Sequence, residues 1–423
     1  MLQVNFIREN REKVLTGLAK RNKDFTAQID RIISADDQRK RVQKDLDDVL
    51  AESNALAREI GQLFKSGKAA EAETLKARTS DLKEKAKEFE AQLSAVEKEL
   101  REQLYTVPNV PSEPVVFGKG AEDNVEVFHW GNRPSFSFEP LPHWELTDRY
   151  RLIDFELGVK ITGAGFPVYS DKGARLQRGL INFFLDEARN AGYTEYMVPH
   201  MVNEDSGYGT GQLPDKEGQM YHAQIDNFYL IPTAEVPLTN LYRDVILKED
   251  QLPIKMTGYT PCFRREAGSY GKDVRGLNRL HQFDKVEIVQ LAHPSQSYEI
   301  LETMVEHVKT LLQKLNLEFR ILRLCGGDMG FTSALTFDFE VYSAAQQKWL
   351  EVSSTSNFET YQANRLKCRF KGQDGKTQLV HTLNGSALAL PRIVAALLEN
   401  NQDEKGIQLP EVLHRYCGFD RIG

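Results

Sequence analysis

Residues 259–290 read YTPCFRREAGSYGKDVRGLNRLHQFDKVEIVQ. Apolar residues gather around Pro261-Cys262-Phe263, Arg264-Arg265-Glu266 follows, and the chain then enters a loop rich in glycine and charge. Between residues 285 and 290 polar and apolar side chains alternate, the period-two mark of a half-buried strand. Strand, long polar loop and strand predict an antiparallel hairpin carrying functional groups at and beside its tip. Those groups suit a nucleotide. Arginine forks onto phosphate oxygens, Glu266 can accept from an exocyclic amine, and Phe283 offers a face to a base. An ordinary surface hairpin with solvated charges fits this segment equally well, so the rest of the chain must decide.

At 423 residues the chain has length for two or three domains and a large core. A net charge of −7 gives no overall field attractive to nucleic acid, so any RNA contact must come from local basic patches. Cys262, Cys325, Cys368 and Cys417 are widely spaced and form no C-x-x-C pair. That argues against a zinc cluster or a disulfide framework and fits a reducing cytosol. The first ten residues lack a signal-peptide core, and no stretch is apolar for the ~18 residues of a membrane span. A soluble cytoplasmic protein is expected.

Composition changes near residue 105: no proline precedes it, and Pro108, Pro111 and Pro114 follow in quick succession. Val42, Leu46, Val49, Ser53, Leu56, Ile60 and Leu63 step by four and three. After a turn near Lys65-Ser66-Gly67-Lys68, Leu75, Thr79, Leu82, Ala86, Phe89, Leu93, Val96 and Leu100 step likewise. A heptad seam on both sides of a short connection predicts an antiparallel coiled-coil hairpin. At roughly 1.5 Å per residue the arm would reach on the order of 55 Å. Residues 1–105 carry 21 Lys and Arg against 20 Asp and Glu, so the arm is close to neutral. Arg31, Arg39, Lys40, Arg41, Lys44, Arg58, Lys76 and Arg78 could gather on one face, or simply pair along a solvated helix surface.

Residues 106–140 read as a loop-like linker, and His143-Trp144-Glu145-Leu146 opens a second domain extending over 141–423. A helix is predicted over 173–190, a strand over 195–198 ended by Pro199, and a Gly-rich connector over 206–211. Residues 228–231 form a short strand leading into Pro232-Thr233-Ala234-Glu235-Val236-Pro237, either a rigid pocket edge or a capped turn. A helix follows over 298–315, and Trp349-Leu350-Glu351-Val352-Ser353-Ser354 reads as a strand. Thr382-Leu383-Asn384-Gly385-Ser386 opens an apolar helix over 388–399 that carries Arg392.

In this order and behind such an arm, these motifs resemble the bacterial-type seryl-tRNA synthetases, a family of class II aminoacyl-tRNA synthetases. The matching pieces are the coiled coil, Thr233-Ala234-Glu235, Phe263-Arg264-Arg265-Glu266 and the segment from His281 to Glu287. Glu351-Val352-Ser353-Ser354 and the late helix with Arg392 complete them. The resemblance implies an α+β catalytic domain with a six-stranded antiparallel sheet flanked by helices, and a homodimer whose interface lies around residues 174–199. It implies ATP-dependent activation of L-serine to seryl-adenylate and transfer to the 3′ end of tRNA(Ser), with tRNA(Sec) a further acceptor.

The implied site residues follow position by position. Arg264 would hold the ATP α-phosphate and the serine carboxylate, Arg392 the γ-phosphate, and Glu351 with Ser354 a Mg²⁺ ion; no zinc is implied. Arg264, Arg392 and Glu351 would be catalytic. Arg264, Arg265, Glu266, Phe283, Glu351, Val352, Ser353, Ser354 and Arg392 would line the ATP site. Thr233, Ala234, Glu235, Arg264, Glu287, Asn384 and Ser386 would bind serine, and the arm would contact the tRNA. Arg265 and Pro391 depart from the common pattern, where a small residue and glycine are frequent. Pro391 in the first turn would start the late helix after residue 388. The competing readings are a paralogue that activates an amino acid without charging tRNA, prolyl or threonyl specificity, and a coiled-coil scaffold.

Overall fold

The computed structural model describes residues 1–266 and 275–423; the glycine-rich tip of the predicted hairpin, residues 267–274, lies outside the described residues. The chain divides into two units, one comprising Leu2–Ala19 with Lys23–Pro108, the other Met1, Lys20–Asn22 and Asn109–Gly423.

In the first unit, short helices α1 (Val4–Glu9) and α2 (Arg11–Ala19) precede the long α3 (Thr26–Lys65) and α4 (Ala69–Leu104). The heptad stepping governs burial here. Val42, Leu46, Leu56, Leu82, Ala86, Val96 and Leu100 are buried, and the other seam positions are half-buried. The helices begin earlier than the stepping suggested: Ile29, Ile32 and Ala72 extend the seam at its ends. Several basic residues are spent in pairs. Arg39 and Lys40 share the buried Asp36 with Arg8, Lys76 pairs with Glu73, and Arg78 pairs with Glu52.

The second unit is built on one eight-stranded sheet. Its strands are β1 (Val125–Trp130), β2 (Thr194–Glu195), β3 (Ile254–Phe263), β4 (Gln282–Ala292), β5 (Phe319–Arg323), β6 (Leu335–Ser343), β7 (Lys348–Asn357) and β8 (His381–Ala389). Their order across the sheet is β1-β5-β6-β7-β8-β4-β3-β2. Neighbours are antiparallel except β2, which lies parallel to β3 at the edge. The six strands from β5 to β3 form the antiparallel core that the resemblance implied, and one more strand is added on each side.

The added strands correct the sequence reading. Residues 125–130, placed in a loop-like linker, form β1, because Phe128 and Trp130 stack toward Phe319 at 5.9 and 5.8 Å between ring centres. The strand expected over 195–198 has only Thr194 and Glu195 in the ladder, plus one bond from Tyr196 N to Thr257 O at 2.8 Å.

Around the sheet lie α5 (His143–Arg149), α6 (Phe155–Ile161), α7 (Asp171–Asn190), α8 (Glu204–Thr210), α9 (Glu235–Asn240), α10 (Ser297–Lys314), α11 (Thr360–Leu366) and α12 (Leu390–Asn400). The stripes of α7 and α10, with the almost wholly buried α12, pack on Val286, Ile288, Phe339, Leu383 and Ala387 of one sheet face. The glycine-rich stretch read as a connector is α8. Asn203 caps its start by accepting from Ser206 N at 3.1 Å, and Gly211 ends it at φ 99°. A Cβ at Gly209 would stand 2.7 Å from Leu366 and 2.8 Å from Asn240, so this glycine permits close packing. Likewise Thr382-Leu383-Asn384-Gly385-Ser386 lies inside β8 and does not open a helix. α12 starts at Leu390, with Pro391 in its first turn, where a missing N–H leaves no bond unmade.

Candidate functional site

The face of the sheet opposite α7 and α10 is polar, and strand register shows which residues share it. Residues directly opposed on neighbouring strands point the same way, as do i and i+2 along a strand. Glu287 opposes Gly258 and Ser386, Lys285 opposes Thr260, and Phe283 opposes Cys262. Asn384 opposes Ser356, Ser354 opposes Asp338, and Glu351 opposes Glu340. Phe283, Lys285, Glu287, Asn384, Ser386, Ser354 and Glu351 therefore stand on one face, contributed by three adjacent strands. Two bulges make this possible. One falls between Lys285 and Glu287 against β8, the other between Phe339 and Glu340 against β7. The second places Glu351 and Ser354, three apart in sequence, on the same side; in an unbroken strand they would face opposite ways.

The expectation of a half-buried strand over 285–290 is corrected here. Lys285 and Glu287 are buried on the polar face, and Gln290 is buried on the opposite face, where it donates to the Tyr193 hydroxyl at 2.7 Å. Alternation reflects a polar pocket on one side of a covered sheet, because a charge in the interior persists when it is paired. Lys285 Nζ sits 2.5 Å from Glu287 Oε2, and Asn384 donates to Glu287 Oε1 at 3.0 Å. Glu235, at the start of α9, is also buried, and Gln362 donates to its Oε1 at 2.6 Å. Burial, then the neighbouring charge of Glu287, pushes the Glu235 carboxyl up to about 7. Burial also raises Glu287, against the pull of Lys285, Arg264 and the Thr233 hydroxyl. Thr233 Oγ1 accepts from Glu235 N at 3.3 Å, the capped-turn geometry, so pocket edge and turn are the same structure. The Ala234 methyl lies in an apolar cluster with Leu238, Met256 and Val289 and presents nothing polar.

Arg264 follows β3 and stays in the ladder through its N–H, which donates to His281 O at 2.9 Å. Its Nε donates to Pro232 O at 3.3 Å, and its guanidinium lies 5.1 Å from the centre of the Phe283 ring. The latter is the spacing of a cation over an aromatic face. Glu266 is paired with Arg279 at 2.9 Å, and Arg265 is exposed, its guanidinium 5.9 Å from the Tyr221 ring. Arg392, in the first turn of α12, donates to Glu351 O at 2.6 Å and Asn278 O at 3.2 Å, with the Glu351 carboxylate 3.9 Å away. Val352 and Ser353 do not join the polar face. Val352 is buried in the core, and the Ser353 hydroxyl is spent on Ser386 O at 2.6 Å.

Two residues escaped the sequence reading. Asp338 stands opposite Ser354, and its Oδ1 is buried without a hydrogen-bond partner among the described residues. Burial, then Glu351, raises its carboxyl, and Ser354 opposes that by hydrogen bonding. Its signal lay in the alternation of Phe337-Asp338-Phe339-Glu340. An unpartnered carboxylate oxygen beside a second carboxylate and a hydroxyl is a donor set suited to a hard divalent cation. The other is Gln362; a lone glutamine in a short helix carries no sequence signal of its own.

Residues 220–401 match the tRNA synthetase class II core domain (G, H, P, S and T), and residues 1–111 match the seryl-tRNA synthetase N-terminal domain. The serine--tRNA ligase of Salinibacter ruber is 49% identical over 100% of this chain and 99% of its own, and that of Chlorobaculum parvum 45% identical over 100% of both. The crystal structure of seryl-tRNA synthetase from Pyrococcus horikoshii complexed with ATP aligns over 100% of this chain and 99% of its own. Its TM-score is 0.92 at 32% identity.

Proposed function

Because the chain belongs to the seryl-tRNA synthetase family, we propose that it activates L-serine with ATP and transfers the seryl group to the 3′ end of tRNA(Ser), with tRNA(Sec) a further acceptor. One observation carries the reading: buried Glu287, with Asn384 beside it, shares a sheet face with Phe283, Glu351 and Ser354, and a second buried carboxylate, Glu235 at the start of α9, comes with Thr233 against Glu287. A pocket of this kind meets an ammonium and a hydroxyl at once. It rejects an analogue lacking the hydroxyl by roughly 10⁴–10⁵, because buried partners are then left unmatched. Threonine is refused by its extra methyl.

Each step needs little from the protein beyond position and charge. The serine carboxylate is already ionised at pH 7, so no general base is required when it attacks the α-phosphorus. Arg264 holds both anions together where charge builds up, and Arg392 takes the γ-phosphate, so that pyrophosphate leaves in line. Glu351 and Ser354 are the residues that would hold Mg²⁺, which when bound neutralises phosphate charge. Phe283 stacks on the adenine, and Glu266 turns from Arg279 to its amino group. Arg265 and the main chain of Val352 and Ser353 complete the ATP site, and Ser386 closes the serine pocket.

The helical arm of residues 1–105 reads the shape and backbone of the tRNA, which a near-neutral surface can do. Residues 106–140 join it to a catalytic domain over 141–423, with Val125–Trp130 of the joining stretch adding β1 to that domain's sheet. We read the protein as a cytoplasmic homodimer; the exposed apolar side chains Ile161, Met197 and Met201, at and near the 174–199 segment, support the dimer. No helix among the described residues is long and apolar enough to cross a membrane. Pyrophosphate exchange screened across amino acids tests the activity. The paralogue reading is disfavoured because the chain matches serine--tRNA ligases over their full length, arm included.

A further inference from the structure

Gln362, on α11, is 1% exposed, and its amide is spent in one buried chain. Nε2 donates to Glu235 Oε1 at 2.6 Å and to the Thr210 main-chain oxygen at 3.1 Å, and Oε1 accepts from Thr382 Oγ1 at 2.7 Å. The Thr210 carbonyl can only accept, so the amide nitrogen must face it, and the same rotamer turns that nitrogen to Glu235. Thr382 then locks the other end. The groups that face Glu235 are Glu287 and Lys285 from β4, Arg264 from the end of β3, and Gln362 from α11. Glu287 opposes the ionised form, while Lys285 and Arg264 act through space. Gln362 is the group in direct contact with the carboxylate oxygen.

We propose that Gln362 is a positioning residue of the amino-acid pocket: held by Thr382 and Thr210, it fixes the Glu235 carboxylate in the orientation that receives the substrate ammonium. It never touches the substrate. The proposal rests on the assignment of Glu235 to that pocket. A merely structural glutamine tying α11 to α8 and β8 would affect folding and both substrates alike; a positioning one affects serine alone.

The test is pyrophosphate exchange by the full-length protein across pH 6 to 9, with serine and ATP varied separately. Gln362→Met keeps the length and removes the donor. The expected result is a rise of about tenfold or more in KM for serine, the size of a lost hydrogen bond to a charged group, with KM for ATP unchanged. The acid limb of kcat/KM moves to higher pH. Thr382→Val, which unlocks the amide, changes the same quantities in the same direction by less, and decides the matter if the first variant does not fold. An unchanged KM for serine, or parallel loss toward both substrates with no movement of the pH limb, overturns the proposal. Glu235→Gln is the control. If it too leaves KM for serine unchanged, the pocket assignment fails; if it raises KM while Gln362→Met does not, only the role of Gln362 fails.

Discussion

Glu351 and Ser354 stand on the same face of β7, although three residues separate them, because the strand bulges against Phe339 and Glu340. The bulge sets them opposite Glu340 and Asp338, so the Glu351 carboxylate and the Ser354 hydroxyl stand beside Asp338 Oδ1, which has no hydrogen-bond partner among the described residues. On the assigned roles, Glu351→Gln should raise the Mg²⁺ concentration for half-maximal exchange by about tenfold or more, and weaken Mn²⁺ binding to the protein–ATP complex in electron paramagnetic resonance titrations. Unaltered Mn²⁺ affinity would remove Glu351 from the cation site.

Arg264 lies over Phe283, while Arg392 is held by the carbonyls of Glu351 and Asn278. Alanine at either position is expected to lower serine-dependent pyrophosphate exchange by about 10²–10³ or more, the cost of removing one fixed charge-stabilising group. Thermal unfolding should change little, since both side chains are partly exposed. Exchange persisting in both variants would refute the phosphate roles.

The Glu235 carboxyl, pushed up to about 7, must be ionised to hold an ammonium. kcat/KM for serine should therefore fall as pH drops through about 7, and Glu235→Gln should lower it throughout and flatten that limb. Stability moves the other way. The folded-state pKa exceeds the unfolded one near 4.5, so the ionised carboxylate costs stability above pH 7 and nothing below 4.5. Glu235→Gln should thus melt higher than the parent at pH 8, with the gain shrinking as pH falls toward 4.5, checked by calorimetry.

The seam of α3 and α4 gives the arm its own buried contacts, from Ile29 to Leu100. Deleting residues 30–100 is expected to spare pyrophosphate exchange and abolish charging of tRNA(Ser), measured on the same preparation. Equal loss of both would contradict a separate tRNA arm.

Much of this was legible. Heptad stepping from Val42 and Leu75 marked the arm because a two-helix seam is a local, periodic pattern. The Arg264 and Glu287 strands read as a hairpin because period-two alternation survives burial. The alternation was ambiguous about exposure: Lys285 and Glu287 look like solvent-facing residues, and only the pairing between them reveals an interior. The turn of β8 into α12 was misplaced because Asn384-Gly385-Ser386 has the composition of a helix cap, and bulges carry no sequence mark. β1 was hidden among prolines and glycines. Gln362 and Asp338 are set by partners more than a dozen residues distant, which a pass along the chain cannot supply.

The most direct measurement is ATP–pyrophosphate exchange by the purified protein with each of the twenty amino acids in turn. Strong exchange with serine is predicted, with alanine lower by roughly 10⁴ because the partners of the hydroxyl go unmatched. Preference for alanine or another apolar amino acid, or exchange indifferent to the hydroxyl, would contradict a pocket built on Glu235 and Glu287.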